Sequence, residues 1–200
     1  DQMMADIASM GGELFVMDDG WFGDKYPRKN DSSSLGDWVV DKNKLPNGIE
    51  GLLSDAKKHG VKFGIWIEPE MANTTSELYE KHPDWVLKAS ERDVVLGRGG
   101  TQVVLDLANP AVQDFVFGVV DNLMTSYPEI DYIKWDANMS VQNHGSQYLT
   151  KDNQSHMYIE FHRGFEKICQ RIRAKYPDLT IQACASGGGR ANYGVLPYFD

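Results

Sequence analysis

Asp131-Tyr132-Ile133-Lys134-Trp135-Asp136-Ala137-Asn138 decides how the rest of this chain is read. The stretch starts as an apolar run of strand length and finishes in a charged cluster. Alternation sets Tyr132, Lys134 and Asp136 against Ile133 and Trp135, so Lys134 and Asp136 share one face of a strand. Asp136 then stands at the strand's carboxyl end with a cation two residues behind it. A carboxylate beside an ammonium has its pKa lowered and stays ionised, as a nucleophile or an electrostatic stabiliser must. For this stretch alone, a Lys–Asp pair finishing an ordinary strand is an equally good reading. The recurrence of the pattern decides between them.

Working outward, residues 61–67 form a second apolar strand that finishes in Trp66-Ile67-Glu68-Pro69-Glu70. Pro69 must end it, because proline cannot continue a central ladder. Residues 13–17 form an earlier strand that runs into Asp18-Asp19-Gly20-Trp21-Phe22-Gly23, and residues 179–184 a later one that opens into Ser186-Gly187-Gly188-Gly189-Arg190. One or two short strands are expected within 94–107, Val103-Val104-Leu105 being the better defined. Amphipathic helices are expected over 49–59 (closed by Gly60), 111–126 and 158–175, with a short helix over 76–81. Residues 2–10 read as the end of a helix stopped by Gly11-Gly12.

Buried strands that alternate with amphipathic helices make parallel βαβ units. Each main strand delivers its polar residues at the carboxyl end, which is where a (β/α) barrel gathers its active site. A doubly wound sheet would favour a GxGxxG turn after its first strand, and none occurs. A complete barrel takes about 250 residues and about eight strands, whereas four or five fit in these 200 residues. The expected fold is therefore α/β, a partial (β/α)8 TIM barrel holding roughly the second to fifth strands with their helices. Residues 1–200 read as one incomplete catalytic domain cut from a longer protein.

Composition narrows the function. Hydrophobic residues at 42% and charged residues at 24% suit a globular domain with a real core. Twenty Lys and Arg against 29 Asp and Glu give a net charge of −9, and no basic run offsets it, so no nucleic-acid partner is expected. No apolar run approaches the roughly 20 residues of a membrane span, so no membrane partner is expected either. Two cysteines and five scattered histidines carry no disulfide framework or metal-ligand spacing, so neither a metal nor a cofactor is expected. The compartment is left open.

Asp18 and Asp19 lie where a strand breaks into a glycine turn. Adjacent carboxylates followed by Trp21 suit a sugar, with acids on paired hydroxyls and an indole on the ring's apolar face. An Asp-rich turn beside a core tryptophan is the alternative. Trp66 with Glu68 and Glu70 suggests a platform and a polar clamp, against a solvated or salt-bridged strand end. Arg98 sits in a Gly-flanked loop that could reach the mouth, though a lone arginine is more often a surface residue. Cys184 lacks a patterned basic partner and is better taken as a small ligand contact than as a nucleophile. Gly187-Gly188-Gly189 suits a backbone passing close to a ligand. Cys169, inside an amphipathic helix, is assigned to the core.

Six ordered strings carry a resemblance over nearly the whole chain: residues 15–23, Leu35-Gly36-Asp37-Trp38, residues 64–71, His82-Pro83-Asp84-Trp85, Ile133-Lys134-Trp135-Asp136, and residues 184–190. Together they resemble the α-galactosidases of glycoside hydrolase family thirty-six. The resemblance implies a retaining glycosidase that removes terminal α-linked galactose from raffinose- or melibiose-type oligosaccharides. It implies Asp136 as nucleophile, with Asp18, Asp19, Trp66, Arg98, Lys134, Asn138, Cys184 and Gly187 binding substrate. Ala137 and Met139 flank Asn138 where the family usually has Met and Arg; Gln182 and Asn192 replace a frequent Glu and Asp. These departures bear on substrate preference, so a raffinose-synthase-like transglycosylase and an α-N-acetylgalactosaminidase are the neighbouring readings. The family's Trp-x-Ser-Asp-x-Thr-Asp-like string, which holds the acid/base, does not occur in these residues. The isolated chain is accordingly expected to be inactive, and a non-catalytic sugar-binding module is the reading from another class. The full-length protein is expected to be a homo-oligomer.

Overall fold

The computed structural model describes residues 1–142 and 144–200. In chain order its main elements are α1 (Gln2–Ser9), β1 (Leu14–Met17), α2 (Gly48–His59), β2 (Lys62–Ile67), β3 (Met71–Asn73) and α3 (Glu77–Lys81). They continue with β4 (Gln102–Val104), α4 (Pro110–Ser126), β5 (Tyr132–Trp135), α5 (Met157–Lys175) and β6 (Thr180–Ala183). The fold is α/β. Strands β1, β2, β5 and β6 lie side by side in that order, all parallel.

The register explains the two faces of the sheet. Met17, Ile65, Ile133 and Ile181 share one row, and Trp66, Lys134 and Gln182 share the next. Phe15, Phe63, Ile65, Ile67, Ile133, Trp135 and Ile181 fill a buried face, and Trp135 meets Phe165 of α5 edge-on at 6.1 Å. On the opposite face Tyr132 and Lys134 are only half-buried, and Thr180 and Gln182 are exposed. Helices are fixed by local chemistry. Gly60 ends α2 in the left-handed region at φ 69°, and the Asn109 side chain caps α4 by accepting from the Ala111 N–H at 2.9 Å.

One expected strand is placed differently. The 103–105 run forms β4 over Gln102–Val104, but it lies outside the parallel sheet and pairs antiparallel with β3. Pro69 explains the departure: it ends β2, and the chain turns back at Met71 to make a separate two-stranded flap beside the carboxyl end of β2.

Candidate active site

The ladder of the parallel sheet runs one rung past its strands. The Asp136 N–H donates to the Ile67 carbonyl at 2.8 Å, and the Cys184 N–H donates to the Trp135 carbonyl at 2.8 Å. Glu68, Asp136 and Cys184 therefore stand together at one end of the sheet. Asp18 directly follows Met17, the partner of Ile65, and so comes beside Trp66 and Lys134.

Asp136 is 6% exposed. Its Oδ2 accepts from Asn138 Nδ2 at 2.7 Å and from the Trp66 indole N–H at 3.2 Å, and its Oδ1 accepts from the Ala137 N–H at 2.9 Å. Burial alone would push this carboxyl up; the donors from Asn138, Cys184, Trp66 and Ala137 outweigh it and hold the group below the usual carboxylate range. That corrects one expectation. The ammonium of Lys134 is paired with Asp18 at 2.7 Å, and this contact dominates its own upward shift. Neutral donors are the main reason that Asp136 stays ionised, and the lysine two residues back adds a weaker coulombic attraction.

Asp19 is held by Arg28, whose Nε and Nη2 reach its two oxygens at 3.0 and 2.6 Å. Arg28 is 5% exposed and also donates to the Ser33 carbonyl and to Asn73 Oδ1. Asp31 lies 3.7 Å from the same guanidinium and accepts from Arg98 Nη2 at 2.5 Å. Arg98 is thus joined to Asp19 through Asp31 and Arg28. Arg28 gave no sequence signal, being one arginine in a long polar loop.

Two tryptophans are less open than expected. Trp21 is fully buried and donates its indole N–H to the Trp66 carbonyl at 2.9 Å, so it is core and offers no stacking face. Trp66 is itself 2% exposed and stacked on Phe22, with its N–H on Asp136. Glu70 is no solvated clamp: it accepts from the Trp135 indole N–H at 2.7 Å and pairs with Arg190.

Glu68 is 2% exposed. It accepts from the Asn138 backbone N–H and, at 3.1 Å, from Gln102 Nε2. Burial pushes its carboxyl up to about 7, with the negative charge of Asp136 adding to the shift. Asn138 Oδ1 accepts from Ser186 Oγ at 3.0 Å, which ties the glycine turn after β6 to the same cluster. Gly187 stands at φ 90°, where a side chain would be strained, and its backbone N–H faces the Cys184 sulfur. A cavity of about 800 Å³ lies between the glycine turn and α5, with Asn138, Ser186, Phe161 and Phe165 in its lining and Asp136 outside it. Cys169 lies in the core, its thiol pushed up to about 12 by burial. Among the described residues no cluster of His, Cys, Asp and Glu could hold a metal ion, and no helix is long and apolar enough to cross a membrane.

A family model described as Melibiase matches residues 1–200. The chain belongs to the melibiase family. This melibiase chain is 42% identical to the probable alpha-galactosidase C of Aspergillus flavus, over 99% of this chain and 26% of that protein. Two solved structures share its fold at a TM-score of 0.92. The alpha-galactosidase from Lactobacillus brevis is 39% identical, covering 99% of this chain and 26% of that one. The alpha-galactosidase AgaA from Geobacillus stearothermophilus, solved with raffinose, is 38% identical, covering 99% of this chain and 27% of that one. The chain spans about a quarter of the length of the curated relatives it matches.

Proposed function

We propose that this chain is a segment of the catalytic domain of a retaining α-galactosidase, its sheet forming part of a (β/α)8 barrel and Asp136 serving as nucleophile. The observation that carries the reading is the state of Asp136, a buried carboxylate kept ionised chiefly by neutral donors and with no salt bridge of its own among the described residues. An anion not already neutralised by a cation keeps its charge for the anomeric carbon, where positive charge develops in the transition state. Asp18 with Lys134 and Asp19 with Arg28 present alternating donors and acceptors of the kind that paired sugar hydroxyls need. Trp66, Arg98, Asn138, Cys184 and Gly187 complete the substrate site. The sequential order of the four strands, with one face half-open, suits a barrel segment better than a doubly wound sheet, whose helices cover both faces. Relatives named alpha-galactosidase, one solved with raffinose, support terminal α-linked galactose in oligosaccharides as the substrate.

The test uses the full-length protein. Asp136→Ala is expected to lower kcat by about 10⁴-fold or more. A fluorinated galactosyl donor that forms the ester but releases it slowly should leave its sugar on the peptide containing Asp136. A sugar found on any other residue would refute the assignment.

A further inference from the structure

We propose that Glu68 is the positioning residue of the nucleophile, acting through Asn138 to fix where the Asp136 carboxylate sits and what charge surrounds it. This rests on the reading of Asp136 as nucleophile. Glu68 is the first residue beyond β2 and Asp136 the first beyond β5, on adjacent strands. Glu68 Oε1 grips the Asn138 backbone N–H, while Asn138 Nδ2 reaches Asp136 Oδ2 at 2.7 Å. Ser186 Oγ donates to the other end of the same amide at 3.0 Å, so the amide has one orientation. Gln102 Nε2 from β4 steadies Glu68 in turn.

A glutamine could fill this space and accept both bonds, so packing does not require an acid. What the acid adds is charge. The charged group facing it is Asp136, from the end of β5; Gln102 from β4 and Asn138 after β5 are neutral. The nearby cations are engaged elsewhere, Arg190 on Glu70 and Lys134 on Asp18. In the glycosylation step an Asp136 oxygen bonds to the anomeric carbon while the glycosidic C–O bond breaks, its electron pair leaving with the aglycone oxygen. Asp136 becomes a neutral ester, which relieves its repulsion with an ionised Glu68. Ionised Glu68 therefore favours ester formation and opposes its reversal.

The experiment compares wild type, Glu68→Gln, Glu68→Ala and Asp136→Ala in the full-length protein. The ratio of wild-type to Glu68→Gln kcat/KM cancels every ionisation the two enzymes share. That ratio is expected to be flat at acid pH and to rise through about 7, by about fivefold. Glu68→Ala strips the acceptor from the Asn138 N–H and is expected to lower kcat about tenfold or more, with KM changed much less. A ratio that stays flat or falls with pH, or an Ala variant with wild-type kcat, overturns the proposal. Should the Ala variant fail to fold, the Gln ratio alone decides. Asp136→Ala separates the two layers: turnover surviving it sinks the nucleophile assignment, whereas an inactive Asp136→Ala with a flat ratio sinks only the role of Glu68.

Discussion

Two carboxyls on neighbouring strands, Glu68 and Asp136, are driven in opposite directions although both are buried. The difference lies in their partners. Asp136 collects donors from Asn138, Trp66, Cys184 and Ala137, while Glu68 has Asn138 and Gln102 and faces the negative charge of Asp136. Because the folded-state pKa of Glu68 is raised, its contribution to stability is fully present below the ordinary value of 4.5 and is lost as pH rises through about 7. A rise of 2.5 units (7 − 4.5) corresponds to roughly 3 kcal/mol. Glu68→Gln should therefore raise Tm relative to wild type at about pH 8 and not at about pH 5. Equal shifts at both pH values would mean that Glu68 does not carry its proton in the folded protein. Arg28 supports a second prediction at this scale. Lysine cannot reproduce its two-pronged grip on Asp19. Arg28→Lys in the full-length protein should raise KM for an α-galactoside about tenfold, with kcat changed less. An unchanged KM would remove Asp19 from the sugar site.

Helix α5 is set by a close approach that only glycine permits. A Cβ on Gly164 would stand 1.9 Å from the Leu107 carbonyl oxygen, whereas one on Gly118 of α4 would meet nothing within 4 Å. Alanine gains about 1 kcal/mol over glycine in a helix interior, but overpacking against fixed backbone costs about 1–3 kcal/mol or more. Gly164→Ala should thus lower the melting temperature and Gly118→Ala raise it. If both raise it, α5 does not pack as described. Strong periodicity made α2, α4 and α5 legible in the sequence to within a residue or two, and the four parallel strands with them. The β3–β4 pair was not legible as such, because three-residue strands are too short for alternation to register and their pairing is set by the turn after Pro69. The site divides the same way. Strand ends announced Asp18, Glu68, Asp136 and Cys184, since position alone marks them. What each touches depended on partners distant in sequence, such as Lys134 for Asp18 and Gln102 for Glu68, and no local pattern encodes those.

At the scale of the whole molecule, the half-open face of the sheet and the chemistry at its end bear on one question: whether these 200 residues can complete a turnover. A retaining hydrolase needs a second carboxyl about 5–5.5 Å from the nucleophile to protonate the leaving oxygen. The carboxyls gathered around Asp136 are committed elsewhere. Asp18 holds Lys134, Asp19 holds Arg28, and Glu68 is sealed beneath Asn138 and Gln102. The isolated chain should therefore leave raffinose intact, because its sugar leaving group needs that proton, while the full-length protein should hydrolyse it. An unfolded chain would give the same negative result, so a second substrate is needed. α-Galactosyl fluoride expels fluoride without a proton, and attack by Asp136 on it needs only the half of the machinery present here. A folded isolated chain should release up to one equivalent of fluoride and stall with its sugar attached, and Asp136→Ala should release none. Sustained turnover of raffinose, abolished by Asp136→Ala, would show instead that a carboxyl within this chain serves as the acid.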